Sequence, residues 1–136
     1  MLFDDELKAL LEKVKTIAII GAVDKPGRPV DMVGRYLIEA GFTVLPVHPN
    51  RHEVWGLPAC PSVRECTVPI DLVNVFRNPD FCPAHAREVA LLSPRPLAFW
   101  MQSGITSPEA SNILSGSGIR VIENACLMVD HRRVAA

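Results

Sequence analysis

The sequence lacks the features that mark nucleic-acid-binding, membrane and secreted proteins. Its 136 residues include 14 basic and 15 acidic side chains, so the formal net charge is only −1, and no overall field draws the chain to nucleic acid or to an anionic membrane. No apolar stretch approaches the roughly 20 residues of a membrane-spanning helix, and the acidic first residues lack the basic segment of a signal peptide. We therefore expect a cytoplasmic protein with no nucleic-acid or membrane partner.

The sequence also lacks the spacings of metal sites and of disulfide frameworks. Cysteines stand at positions 60, 66, 82 and 126 with no Cys-x-x-Cys pair, and histidines stand at 48, 52, 85 and 131. His48 and His52 are four residues apart, but Pro49 breaks any helix that would bring them to one face. We expect no metal site, and reduced thiols in or near the core.

What the sequence does contain is material for a core, since 49% of its residues are apolar. Five short apolar runs alternate with segments that have helical spacing or helix-capping residues. The predicted strands are residues 16–20, 42–47, 70–76, 97–101 and 119–122. The predicted helices are residues 4–14, 29–40, 83–92, 108–117 and 126–134, with a turn at 55–58 and a single helical turn at 62–66.

From the first strand to the fifth the predicted pattern is β-α-β-α-β-α-β-α-β. The strands show no alternation of apolar and polar residues, which indicates a sheet covered on both faces. The pattern therefore predicts an α/β fold with a Rossmann-like, doubly wound, parallel five-stranded sheet, as a single domain over residues 1–136.

Ligands of such sheets bind at the carboxyl ends of the strands, and the segments after the predicted strands carry four basic side chains. These are Lys25 and Arg28 after the first strand, Arg51 after the second and Arg77 after the third. A chain of almost no net charge that gathers cations at one edge favours an anionic, phosphorylated ligand.

The fingerprint of NAD-binding proteins, G-x-G-x-x-G followed by an acid about 20 residues later, is incomplete. Gly21 fills its first position, but Val23 and Pro26 stand where the other glycines belong. The tip of the second strand offers His48, Asn50 and Arg51 instead of an acid. A cation there suits a ribose that carries a phosphate, as in NADP or coenzyme A, and both ligands remain open at this point.

Five ordered motifs carry a resemblance to a known family: Ile19–Ala22, Pro46–Asn50, Val73–Arg77, Trp100–Gly104 and Cys126–His131. Over residues 14–133 the chain resembles the small stand-alone CoA-binding proteins, which are similar to the CoA-binding domain of the succinyl-CoA synthetase alpha chain. The resemblance implies coenzyme A as the ligand.

The resemblance also implies roles for individual residues. The loop of Gly21, Ala22 and Val23 would meet the phosphates. Pro49 and Arg51 would contact the adenosine side, with Arg51 facing the 3′-phosphate, and Asn50 between them is counted with the cofactor-binding residues. Val75, Phe76 and Arg77 would line a channel for adenine or pantetheine, and Met101, Gln102 and Ser103 would line the pantetheine arm. The chain departs from the family in having Val47-His48-Pro49 for the usual Val-Asn-Pro, and in having Val23 where Ser or Thr is usual.

The sequence shows no complete catalytic constellation. From the length we expect no ATP-grasp domain of the kind found in the similar ligases, and the histidines are expected to face solvent or to cap. Cys126, at the start of the last helix, is counted with the cofactor-binding residues because a helix N-terminus favours a thiolate, although a packing role is the simpler interpretation. Trp100, Met32 and Tyr36 are expected to pack.

Two functions therefore remain open. The first is non-catalytic binding of CoA or acyl-CoA, as a carrier, a sensor or the partner of an enzyme. The second is a small NADP-dependent or acyl-transfer enzyme that uses the same crevice. A homodimer and an enzyme partner are both compatible with the sequence.

Overall fold

A parallel sheet of five strands forms the centre of the molecule in a computed structural model, which describes residues 2–135. Its strands are β1 Thr16–Ile20, β2 Thr43–Val47, β5 Leu72–Val75, β6 Ala98–Met101 and β7 Arg120–Ile122. Two further short strands, β3 Glu53–Val54 and β4 Leu57–Pro58, form a separate hairpin. The helices are α1 Asp4–Glu12, α2 Pro29–Glu39, α3 Cys82–Ala90, α4 Pro108–Leu114 and α5 Leu127–Val134. The predicted five-stranded α/β fold is confirmed.

The order of strands in the sheet is β2-β1-β5-β6-β7, and every neighbouring pair is parallel. The chain moves outward from β1 to β2, then crosses back to β5 and continues to β7 on the other side. The direction of winding therefore reverses between β1 and β5. In open α/β sheets a crevice forms at the carboxyl ends of the two strands that flank such a reversal.

Helices cover both faces of the sheet. Ile17 and Ile19 of β1 pack in a cluster with residues of α1, α2 and α5, whereas Ala18 and Ile20 pack in a second cluster with residues of α3 and α4. Alternate residues of one strand thus reach two different apolar layers, which explains why the strand is apolar throughout. The predicted doubly wound arrangement is confirmed.

The crossover from β2 to β5 corrects the predicted alternation of strands and helices. It contains no α-helix; the chain forms the antiparallel hairpin of β3 and β4 and then a short 3₁₀ turn at Val63–Glu65. Pro58, Pro61 and Pro69 fall in this segment and prevent a continuous helix. The predicted turn at 55–58 is present at residues 55 and 56, between the two strands of the hairpin, and residues 57 and 58 form β4 instead. The predicted helical turn at 62–66 is the 3₁₀ turn.

Helix ends differ from prediction by a few residues. The fourth helix begins as predicted, with the Ser107 hydroxyl accepting a hydrogen bond from the Ala110 N–H (3.1 Å) and proline at the next position. It ends at Leu114 instead of residue 117, because Ser115 leaves the helical conformation with a ψ of 130° and Gly116 has a left-handed φ of 78°.

Candidate functional site

A cleft of about 830 Å³ opens at the carboxyl ends of β1, β5 and β6, where the winding of the sheet reverses. The N-terminal turn of α2 forms one wall, and the start of α5 forms the other. Most of the residues predicted for the ligand site line this cleft: Gly21, Val23, Lys25, Arg28, Arg51, Phe76, Arg77, Gln102, Ser103 and Cys126. Segments far apart in the sequence therefore meet at one crevice.

Five predicted residues do not line the cleft. Ala22, Val75 and Met101 have no exposed surface, and the last two point into the apolar layer under α3 and α4, away from the cleft. Pro49 and Asn50 are exposed on the loop after β2, outside the lining. These five side chains therefore do not form part of the cleft surface. Val75 and Met101 lie in strands, where successive side chains point to opposite faces of the sheet, and theirs point to the face away from the cleft.

Gly21 allows two loops to approach each other at the floor of the cleft. Its φ of 86° lies in the left-handed region, and a Cβ at this position would overlap the carbonyl oxygen of Phe76. The Gly21 N–H donates to the Val47 carbonyl at 3.0 Å. Glycine is therefore required here by both the backbone conformation and the space available.

The four predicted cations all line the cleft, but two of them already have partners. The Arg51 guanidinium is held by the Asp24 carboxylate at 2.8 Å, and that of Arg77 lies 4.3 Å above the ring centre of Phe81. The hydrogen bond from Arg51 holds the pKa of Asp24 below its usual value. The sequence predicts four cations at this edge but not their pairing with Asp24, which lies four residues beyond the end of β1.

Two buried amides join the inner end of the cleft to the start of α5. Oε1 of Gln102 accepts from the Leu127 backbone N–H and from Nδ2 of Asn74, each at 3.3 Å. Nδ2 of Asn74 also donates to the Trp100 carbonyl at 3.4 Å, whereas Oδ1 of Asn74 has no partner within residues 2–135. Gln102 therefore takes the place of a capping side chain, since Cys126, the N-cap residue of α5, makes no side-chain cap bond.

The histidines stand outside the cleft lining. Nδ1 of His48 accepts from the Asn50 N–H at 3.0 Å, a local cap as predicted, and burial together with Arg51 and Arg77 lowers its pKa. Burial also lowers the pKa of His85 and of His131, whose Nδ1 lies 2.6 Å from the Tyr36 hydroxyl. His85 and His131 are half-buried, whereas the sequence predicts that the histidines face solvent or cap.

The cysteines are free thiols. Burial raises the pKa of Cys66 and of Cys82, which keeps both protonated and unreactive. Only Cys126 lines the cleft. Residues 2–135 contain no group of three or more His, Cys, Asp or Glu side chains arranged to hold a metal, and in that range no helix is both long enough and apolar enough to cross a membrane.

The cleft also has an apolar part that the sequence interpretation missed. Met32, predicted to pack, is 57% exposed and lines the cleft together with Val30 and Met128. A long apolar side chain on the outer turn of a helix carries no sequence signal that separates packing from ligand contact. Trp100 and Tyr36 do pack: the Trp100 indole is fully buried and donates to the Ala125 carbonyl at 2.8 Å.

Comparison with known proteins places this geometry in a family. Residues 15–132 match the family described as "CoA binding domain". The chain is 37% identical over 126 residues to the uncharacterized protein YneT of Bacillus subtilis, covering 93% of this chain and 92% of that protein.

Solved structures agree closely with the fold. The structure of cell-free ID.343 from Thermus thermophilus has a TM-score of 0.90 at 42% identity, over 98% of this chain and 99% of that one. A hypothetical protein from Pyrococcus horikoshii has a TM-score of 0.93 at 30% identity, over 99% and 94% of the two chains. A dinucleotide-forming acetyl-coenzyme A synthetase from Ca. Korarchaeum cryptofilum shares the fold over 79% of this chain and 25% of its own length, with a TM-score of 0.66 at 18% identity.

Proposed function

This chain belongs to the family of CoA-binding domains, and from that premise we propose that it binds coenzyme A or acyl-CoA without catalysis, in the cleft between β1 and β5. The phosphates lie against the loop after β1 and the N-terminal turn of α2. The pantetheine arm runs past Gln102 and Ser103 toward Cys126.

One observation carries the proposal, namely the meeting of Lys25, Arg28, Arg51 and Arg77 around a single cleft. The net charge of the chain is −1, so this concentration of positive charge is local, and it favours a ligand with several phosphate groups. Gly21 supports the proposal because it brings backbone close to the floor of the cleft without a side chain in the way.

The shape of the cleft suits the two halves of CoA. Its basic residues lie on the loops after β1, β2 and β5, whereas Val30, Met32, Ile105 and Met128 make an apolar wall. A diphosphate and a 3′-phosphate require the first kind of surface, and the methylene groups of pantetheine are stabilised by the second. The volume of about 830 Å³ lies in the usual range for small-molecule sites.

Binding without catalysis is favoured by what surrounds the cleft. Nucleophilic catalysis needs a nucleophile in hydrogen-bond contact with a base. Within residues 2–135 no hydrogen bond joins Cys126 to a histidine or a carboxylate, and no histidine lines the cleft. We therefore propose a carrier, a sensor or the partner of a separate enzyme, in the cytoplasm.

Ligand titration of the purified chain tests the proposal. Thermal unfolding is measured with CoA, NADP, NAD and ATP. A ligand at 100 times its Kd stabilises a folded protein by about 2.7 kcal/mol, and we expect this from CoA alone. Stabilisation by NADP without stabilisation by CoA would refute the proposal in favour of an NADP-dependent enzyme.

A matched pair of arginine variants tests the location of the site. Arg77→Gln is expected to weaken CoA binding about tenfold, because it removes a cation from the cleft. Arg87→Gln is the control, since Arg87 is exposed on α3 and pairs with Glu109 at 3.4 Å. Equal loss of affinity in both variants would show that only overall charge matters.

A further inference from the structure

We propose that Asp24 is a built-in competitor for the ligand phosphate at Arg51, and that it sets how strongly the site prefers a 3′-phosphorylated ligand. The inference rests on the proposed function for the identity of the ligand, and on the place of Arg51 just after β2, where nucleotide-binding sheets hold the ribose, for its pairing with the 3′-phosphate. It rests on the contacts of Arg51 for the role of Asp24.

Nη2 of Arg51 has two acceptors. The Asp24 carboxylate accepts from it at 2.8 Å, and the Glu53 carbonyl accepts from it at 3.0 Å. A guanidinium nitrogen of this kind carries two N–H groups, so both are in use. Nε and Nη1 make no hydrogen bond to any other group within residues 2–135.

This arrangement limits how a phosphate can meet Arg51. The planar guanidinium offers two edges for a two-pronged contact, one formed by Nε and Nη2 and the other by Nη1 and Nη2. Each edge includes Nη2. A phosphate can therefore form a two-pronged contact with Arg51 only after Asp24 or the Glu53 carbonyl has been displaced.

Asp24 is the partner that a phosphate displaces. The Glu53 carbonyl belongs to the backbone of β3, whereas the Asp24 carboxylate is a side chain of the loop after β1, next to Lys25 of the cleft lining. The Asp24 carboxylate and a ligand phosphate are both anions, so they repel each other and compete for the Arg51 guanidinium. The Asp24–Arg51 pair is partly exposed, with 32% and 37% of the two side chains accessible, so it can be broken at small cost.

Displacement of Asp24 also has a local reporter. The second carboxylate oxygen of Asp24 accepts from the Trp55 backbone N–H at 3.3 Å, across 31 residues of sequence. Asp24 therefore joins the loop after β1 to the turn of the β3–β4 hairpin. When a phosphate takes Arg51, the Trp55 amide loses its acceptor.

Calorimetric titration of Asp24→Asn against wild type tests the inference. Asparagine keeps the shape and one acceptor oxygen but removes the charge. The affinity for CoA is expected to rise about threefold to tenfold, the range of a partly exposed ion pair together with relieved repulsion. The control is Asp80→Asn, because Asp80 is an exposed acid outside the cleft lining. The affinity for 3′-dephospho-CoA, which has no phosphate for Arg51, is expected to change no more in Asp24→Asn than in this control.

The opposite results are informative. Weaker binding of CoA by Asp24→Asn would show that Asp24 positions Arg51 and would overturn the inference, as would an equal gain for CoA and 3′-dephospho-CoA. In wild type the Trp55 amide resonance must shift with CoA and stay in place with 3′-dephospho-CoA; a shift that is the same for both ligands also counts against displacement.

A separate arm distinguishes failure of the proposed function. Inorganic phosphate is titrated into wild type and Asp24→Asn. If wild type binds no CoA but phosphate still binds more tightly to Asp24→Asn, the proposed function is wrong and competition by Asp24 stands. If phosphate binds both proteins equally and CoA binds wild type, the proposed function stands and competition is wrong.

Discussion

The indole ring of Trp55 occupies the space that a side chain at position 34 would need. A Cβ on Gly34, in the middle of α2, would overlap the six-membered part of the ring. The indole N–H donates to Oδ1 of Asp31 at 2.9 Å, and Asp31 is also held by Arg35 at 3.0 Å. The β3–β4 hairpin is thereby fixed to the helix whose first turn forms a wall of the cleft.

Substitution of Gly34 is therefore expected to loosen the hairpin. Alanine is favourable in a helix by about 1 kcal/mol relative to glycine, but overlap with a packed ring costs about 1–3 kcal/mol. We expect Gly34→Ala to lower the free energy of unfolding, as measured by urea denaturation. The double variant Gly34→Ala/Trp55→Leu removes the ring, so the overlap is gone. Its loss of unfolding free energy should therefore be smaller than the sum of the losses in the two single variants. Additive losses would mean that the two residues do not compete for space.

A second glycine, Gly21, links stability to ligand binding. An L-residue with this left-handed φ of 86° lowers the free energy of unfolding by about 1–2 kcal/mol. The overlap of its Cβ with the Phe76 carbonyl oxygen lowers it further. Gly21→Ala is expected to lower the melting temperature and to weaken CoA binding, because the loop after β1 must move. Gly116→Ala is the control, since Gly116 has a similar φ of 78° but open space around it. Equal effects on CoA binding would exclude a specific role for the floor of the cleft.

Local signals explain how much of the fold is predictable from the sequence. The run Thr16–Ile20 is apolar, is rich in isoleucine and ends at a glycine, so both its type and its bounds are predicted correctly. Ser107 followed by Pro108 predicts the start of α4, and the structure confirms the cap. The basic side chains after three strands predict where the cleft lies, because parallel strands end at one edge.

Contacts across the sequence explain what could not be predicted. The resemblance implies that Val75 and Met101 line the ligand site, whereas both side chains lie in the apolar layer under α3 and α4. The runs 70–76 and 97–101 do not alternate between apolar and polar residues, so the sequence gives no indication of which side chains face which layer. The pairing of Asp24 with Arg51 spans 27 residues and depends on the path of two loops. The sequence does not predict the hairpin, because strands of two residues are too short to show alternation of apolar and polar residues.

His131 makes stability depend on pH. Burial lowers its pKa in the folded state, while the unfolded chain has the ordinary value of about 6.5. Below that pH the unfolded chain binds a proton that the folded chain resists, so stability is complete above about pH 6.5 and falls as the solution becomes more acidic. His48 and His85 act in the same direction.

The contribution of His131 can be isolated by comparing slopes. The free energy of unfolding of His131→Asn, followed by urea denaturation between pH 8 and pH 5, should fall less steeply than that of wild type. Besides Tyr36, the ring faces Phe42 at 5.2 Å between ring centres, and Arg132 lies over Tyr36. Burial among these groups disfavours the charged imidazole and lowers its pKa. His52→Asn, at an exposed histidine, is the control. A slope equal to wild type in His131→Asn would contradict the assignment.

Gln102 should be more important for its oxygen than for its size. That oxygen accepts from the first N–H of α5 and from Asn74, and the side chain is 4% exposed. Gln102→Met keeps the volume but leaves both donors without their shared acceptor, which costs about 1–3 kcal/mol. Gln102→Glu keeps an acceptor in place, and a negative charge is favourable at a helix N-terminus. We therefore expect a clear loss of stability at pH 7 in the methionine variant and a smaller loss in the glutamate variant, measured by urea denaturation.

The difference in stability between the two Gln102 variants should shrink as the pH is lowered toward 4, because the carboxylate of the glutamate variant takes up a proton. Equal losses in both variants at every pH would show that packing alone matters at this position.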